Sequence, residues 1–150
     1  MFSDTVTMFN CVENKSQKKV YWFPTVLNNV EVQMSQGLNV IKSGNVDASK
    51  MYLNIPLIAS NNELFADGVK YLKPIAYKSL NDKSESFTLC TEDDFIAVGD
   101  FSDLGTTIDD DSEDYPDGFY EYMKSHYDDV YKINTVDEYK TIRHLEVGGK

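Results

Sequence analysis

Apolar and polar positions alternate along much of this chain with a period of two, the mark of half-buried strands. Val30, Val32 and Met34 alternate with Glu31, Gln33 and Ser35, and Met51, Leu53, Ile55 and Leu57 alternate with Tyr52, Asn54 and Pro56. Residues 5–12 read as a first strand with imperfect alternation. After a polar turn at 14–17, Val20-Tyr21-Trp22-Phe23 reads as a second strand, apolar on both faces and therefore covered; Pro24 ends it or marks an edge. Asn28-Asn29 offers turn chemistry before the next run. Residues 36–48 read as a loop around the apolar patch Leu38 to Ile41, and 60–85 as a polar stretch in which Pro74 forbids a long helix. Phe87 to Cys90 and Phe95 to Val98 are two further strands.

The period changes once. Phe119, Tyr122, Met123, His126, Tyr127 and Val130 recur at three-four spacing and predict an amphipathic helix, with Pro116 suited to its first turn. Val130 to Val136 then reads as a strand, residues 137–140 as a short connector, and Arg143 to Val147 as a last strand. In that strand Leu145 and Val147 face the core, opposite His144 and Glu146, and Gly148-Gly149-Lys150 is expected to leave the body as a flexible end. The pattern predicts one mainly β domain over residues 1–150: an antiparallel barrel or sandwich of about six to eight strands, one amphipathic helix near the C-terminus, and an acidic surface loop at about 103–117.

Composition agrees with an ordered domain. Of 150 residues, 41% are hydrophobic and 13% aromatic, enough for a core that needs no staples. Apolar runs are too short for a membrane span, and the N-terminus lacks a secretory pattern. Cys11 and Cys90 carry no metal-ligand spacing and read as free thiols.

Charge narrows the function classes. Twenty-five acidic residues face 14 basic ones, for a net charge of −11, and Arg143 is the only arginine. Nucleic-acid binding and acidic membranes are disfavoured, since both need a basic patch. An acidic surface can still line a DNA channel or imitate DNA.

Candidate chemistry is sparse. Asp110, Ser112, Asp114 and Glu121 fit four positions of an EF-hand-like calcium loop, but Tyr115 stands where Gly is needed, so a solvated helix start is the better reading. Neither His126 nor His144 lies in a nucleophile or zinc motif, and His126 falls on the apolar helix face, as a core-edge histidine does. The isolated turns Ser43-Gly44 and Gly99-Asp100 lack phosphate-loop spacing. No enzyme activity, cofactor or metal is expected. The candidate interaction residues are Trp22, as a hot-spot anchor or a core residue, Arg143, which should find a carboxylate, and the His144–Glu146 pair.

Several stretches carry a resemblance. Thr5 to Asn10, Tyr21 to Leu27, Asp94 to Asp100, Val130 to Val136 and Arg143 to Lys150, in this order around the helix, resemble a family of small uncharacterised proteins encoded by phages and prophages of Gram-positive bacteria near their head–tail genes. More loosely, the C-terminal half resembles the head-closure, or stopper, neck proteins of tailed phages, departing from them in the helix and the acidic loop before it. The resemblance implies a structural virion or virion-assembly protein at the head–tail junction. Such a protein would form ring-like homo-oligomers, contact neighbouring head or tail proteins, and reside in the virion and, during assembly, in the host cytoplasm. The alternative expectation is an acidic decoy that binds a host DNA-processing protein.

Overall fold

The computed structural model describes residues 2–34 and 50–150; the loop expected at 36–48 lies outside them. In chain order the elements are β1 (Asp4–Asn14), β2 (Lys19–Met34), β3 (Met51–Pro56), β4 (Ile58–Ser60), β5 (Glu63–Ala66), β6 (Val69–Tyr71), α1 (Pro74–Lys78), β7 (Ser86–Phe87), β8 (Phe95–Val98), β9 (Ile108–Asp109), α2 (Phe119–His126), β10 (Val130–Tyr139) and β11 (His144–Gly149).

Six strands close into an antiparallel barrel in the order β1-β8-β10-β11-β3-β2, with β2 returning to β1; β9 adds outside β2. Closure depends on the length of β2. Its first part pairs with β1 and its last four residues pair with β3. Between them the register slips from Val6↔Leu27 to Asp4↔Val30, and Asn29 takes a positive φ of 60°. Asn28-Asn29 is therefore a bulge inside one strand, where a turn was expected. Both features want a residue that tolerates the left-handed region, so the sequence signal is shared. Pro24 lies on a stretch of β2 with no second neighbour among the described residues, as a strand proline requires.

The barrel encloses Val6, Met8, Leu27, Leu53, Ile55, Ile96, Ile133, Leu145 and Val147. A second cluster lies outside the wall, under α2: Phe9, Trp22, Phe95, Ala97, Ile108, Phe119, Met123 and Val130. Here Phe9 stacks on Phe95 at 4.7 Å and meets Phe119 edge-on at 5.3 Å. β1 thus buries both faces, Val6 and Met8 inward and Phe9 outward, which is why its alternation looked imperfect. On α2, Phe119 and Met123 are buried, while Glu121, Lys124 and Ser125 are exposed, as is Asp128 just beyond it. The expected stripe begins with the helix at Phe119 but runs past its end, since Tyr127 and Val130 lie beyond His126. Gly118, and not Pro116, precedes the first turn, and Tyr127 has left the helix and lies exposed against Phe101.

Residues 58–71, read from sequence as polar, form two hairpins whose turns are Asn61-Asn62 and Asp67-Gly68, all four with positive φ. These are two-residue turns of the mirror-image type that matches strand twist. With β7 they make a second sheet, β4-β5-β6-β7, whose last pairing is parallel. Pro74 opens only the single turn of α1. Of the strand expected at Phe87 to Cys90, only Phe87 is in a strand.

The C-terminal end corrects an expectation. Gly148 and Gly149 are buried within β11, paired with Tyr52 and Met51 of β3. Lys150 exchanges two backbone hydrogen bonds with Lys132, at 2.9 and 3.1 Å. The last three residues are part of the barrel wall. The connector between β10 and β11 also lies later than expected, since β10 continues to Tyr139 and β11 begins at His144.

Candidate interaction surface

An apolar cleft of about 650 Å³ opens at one end of the barrel among the described residues. Its floor is Val30, Ile55 and Ala66, and its rim includes Phe2, Ile58, Phe65, Ile142, Arg143 and His144. The β2 bulge shapes one wall. There the Asn28 backbone N–H and side-chain amide both donate to the Asp67 carboxylate, at 3.0 and 3.3 Å, which pins the Asp67-Gly68 turn against the barrel. The opposite wall is the turn into β11, held where the Leu57 N–H donates to the Arg143 carbonyl at 3.0 Å. Ile58 and Ile142 remain 71% and 80% exposed on this rim. Contiguous exposed apolar surface of this kind marks contact sites.

Arg143 and His144, singled out in the sequence, both lie on that rim. Arg143 reaches Glu138 only at 4.0 Å, in a pair open to solvent, a geometry that contributes little. His144 is better held. Its Nδ1 faces the Ile142 carbonyl at 2.7 Å and its Nε2 the Glu146 carboxylate at 2.9 Å, while Tyr139 stacks on the ring at 4.7 Å. Both ring nitrogens meet acceptors, so the hydrogen bond to Glu146, then that to the carbonyl, raises the histidine pKa.

Trp22 does not belong to this surface. It is 5% exposed, meets Phe95 edge-on at 5.0 Å, and donates its indole N–H to Asp110 at 2.9 Å. A residue so enclosed anchors α2 and its acidic approach to the barrel; the hot-spot expectation gives way to the core one.

The acidic run has a structural centre. Asp110 Oδ1 also accepts the Phe119 backbone N–H at 2.9 Å, so it caps α2 from nine residues upstream while Gly118 holds a φ of +94° beside it. Around it Asp111, Glu113, Asp114 and Asp117 are exposed. Asp110 is thus committed to protein donors. Among the described residues no group of three or more His, Cys, Asp or Glu is arranged to hold a metal ion.

His126 is exposed and stacks on Tyr122 at 4.1 Å, where the sequence placed it at the core edge. Its Nδ1 approaches the Tyr122 carbonyl at 2.8 Å and Ser125 Oγ at 3.1 Å. A carbonyl only accepts, so Nδ1 carries the proton and cannot draw one from Ser125.

Sequence reasoning missed one buried charge. Asp94 is 1% exposed. Its carboxylate accepts the Cys11 N–H at 2.8 Å, the Cys90 N–H at 2.9 Å and the Asn10 side-chain amide at 2.9 Å, so one group ties β1 to the segment before β8. Burial raises its pKa to about 6 against these donors and Lys78, which favour the charged form. Burial and Asp94 together push the Cys11 thiol up to about 12, and burial with a hydrogen bond to Asp93 pushes Cys90 up to about 11. Both cysteines are free thiols. An Asp within a strand-edge turn, followed at once by an apolar run, was the only sequence signal for this tie.

The geometry defines a closed antiparallel barrel with a helix-covered flank, an acidic helix start and an apolar cleft. Over residues 1–150 the chain matches DUF6751, a family of unknown function, and it belongs to that family. No curated protein and no solved structure matches it.

Proposed function

We propose that this protein is a structural component of a tailed-phage virion, or of its assembly, that works at the head–tail junction through protein–protein contacts. The observation that carries the reading is the gathering of exposed apolar side chains, Phe2, Ile58 and Ile142, around the cleft at one end of a rigid barrel. A barrel wall offers fixed loops and edges for docking, and the reading needs no bond-breaking step. The resemblance of the strand motifs to phage and prophage proteins encoded near head–tail genes supplies the context. In a ring of such subunits, attached to portal and tail proteins, a net charge of −11 per chain suits a lumen that repels DNA and lets it slide.

The acidic-decoy reading draws on one observation, the crowding of exposed Asp111, Glu113, Asp114 and Asp117 at the start of α2. One experiment separates the two. The purified protein is mixed with portal and tail proteins from a tailed phage whose genome carries this reading frame, and complexes are weighed by native mass spectrometry. Ring-sized complexes on the portal support the junction role. A protein that ignores portal and tail but captures a host DNA-processing enzyme supports the decoy and overturns the junction role.

A further inference from the structure

The shape of the apolar cleft at the barrel end is built in. The Asn28 N–H holds one wall to Asp67 and the Leu57 N–H holds the other to the Arg143 carbonyl, each at 3.0 Å. Binding here therefore costs little ordering of the protein itself. The apolar surface also reaches beyond the hollow. Val30, Ile55 and Ala66 are buried at the floor, whereas Ile58 and Ile142 stand out from the rim into solvent. A small molecule seated on the floor leaves both isoleucines in water. A chain segment that crosses the cleft covers floor and rim together.

Charge fixes what that segment carries. Among the lining residues only Asp67, Arg143 and His144 are charged or titratable near neutral pH. Asp67 accepts both Asn28 N–H groups, and His144 is bound to Glu146. Arg143 differs. Its one carboxylate contact among the described residues is Glu138 at 4.0 Å, beyond hydrogen-bonding distance. A guanidinium offers a planar fork of donors that matches the two oxygens of a carboxylate. The only arginine of a chain with net charge −11 thus stands, loosely paired, at the mouth of its apolar cleft. A basic segment is drawn instead to the acidic start of α2. A carboxylate meets net repulsion from the chain as a whole and attraction from Arg143, which selects where it docks.

We propose that the cleft docks a segment of a partner protein in which large apolar side chains stand next to an Asp or Glu. The apolar side chains cover Val30, Ile55 and Ala66 between Ile58 and Ile142, and the carboxylate takes the Arg143 fork. Covering the isoleucines shuts water away from that ion pair and strengthens it. The inference rests on reading the cleft as the contact site of the junction protein and adds the chemistry of what enters it.

The test selects binders to the full chain from a displayed library of random peptides. Wild type should select sequences with Asp or Glu beside Leu, Ile, Phe or Trp. Labelled copies should bind by fluorescence anisotropy and shift the amide NMR signals of Val30, Ile55 and Ala66. Arg143→Gln should weaken them at least about tenfold. Ile142→Ser, at an exposed side chain, should also weaken them, with the circular dichroism spectrum unchanged. Replacing the acidic residue of the peptide by Lys should abolish binding to wild type and restore it to Arg143→Glu. Binders that lack an acidic residue, binders indifferent to Arg143→Gln, or no binder that shifts these signals overturns the proposal. Dodecanoate shifting the same signals where no peptide does would make the occupant a small amphiphile and overturn it. A wild type of two-chain mass by sedimentation, returned to one chain by Ile142→Ser, would make the occupant a second copy and overturn it too. The junction role fails separately. A portal complex that survives Arg143→Gln and Ile142→Ser unchanged overturns this inference and leaves that role, whereas cleft-bound acidic peptides with no portal complex do the reverse.

Discussion

The carboxylate of Asp110 accepts a 2.9 Å hydrogen bond from the indole N–H of Trp22. The same oxygen accepts the first free N–H of α2, from Phe119, at 2.9 Å. One side chain thus fastens the acidic approach, the helix start and β2 to one another, and it uses the attraction of a helix N-terminus for an anion.

Asp110→Ala should therefore remove a helix cap and leave the buried indole N–H without a partner. The two losses together amount to about 2–4 kcal/mol. Urea unfolding followed by tryptophan fluorescence measures it, since Trp22 is the only tryptophan. Asp110→Asn keeps an acceptor oxygen and should lose less. If Asp110→Ala melts like wild type, the carboxylate is not the fastening that the geometry describes.

Asp94 predicts a pH dependence. Its folded pKa of about 6 lies above the ordinary 3.8 because burial disfavours the charged form. A group raised in this way adds stability that is fully present below about pH 3.8 and is lost as pH rises through about 6. The difference of about two units corresponds to roughly 3 kcal/mol. His144, raised by Glu146, acts in the same direction above its ordinary 6.5. Unfolding free energies measured from pH 4 to 8 in wild type, Asp94→Asn and His144→Gln separate the two. Asp94→Asn should be less stable overall, because it turns an amide toward an N–H donor, but flatter between about pH 4 and 6. An unflattened profile would remove Asp94 as the source.

The barrel strands were legible in the sequence because each buries one face against the interior, so Met51, Leu53 and Ile55, or Leu145 and Val147, keep a clean period of two. β1 was blurred because Phe9 also packs under α2. The second sheet was hidden by its exposure: Ile58, Ala59 and Glu63 bury little and leave no pattern. Its signals were the Asn61-Asn62 and Asp67-Gly68 turns, which a search for positive-φ pairs between short runs would have found. Of the surface, Arg143 and the His144–Glu146 pair were legible as a lone cation and an alternating strand. The cleft beside them was not, because it is built by a bulge and two hairpins that meet only in space.

The charge distribution predicts weak contact with DNA. A chain of net charge −11 with a single arginine should not bind duplex DNA by itself at physiological salt. Fluorescence anisotropy with a labelled duplex checks this; salt-sensitive binding in the micromolar range would contradict it.

The last prediction concerns the C-terminal strand. Gly149 lies where β11 passes between β3 and β10, and a Cβ there would stand 2.9 Å from Tyr131 Cβ and 3.0 Å from Met51 Cε. Met51 can yield, but Tyr131 Cβ is fixed to the β10 backbone. Gly149→Val should therefore strain the barrel seam by about 1–3 kcal/mol, with a smaller loss for Gly149→Ala. Removing Gly148 to Lys150 takes away the pairing with Met51 and Tyr52 and the two backbone bonds to Lys132. It also uncovers part of β3 and β10, so this truncation should lower the thermal midpoint markedly. Removing Arg143 to Lys150 strips the whole strand and opens the barrel between β3 and β10, which should leave an insoluble chain, because the long edges so exposed pair with those of other molecules. Thermal melts of the three-residue truncation and of Gly149→Val make the comparison. A truncated protein that melts with wild-type cooperativity and midpoint would show that the barrel closes without its C-terminal residues.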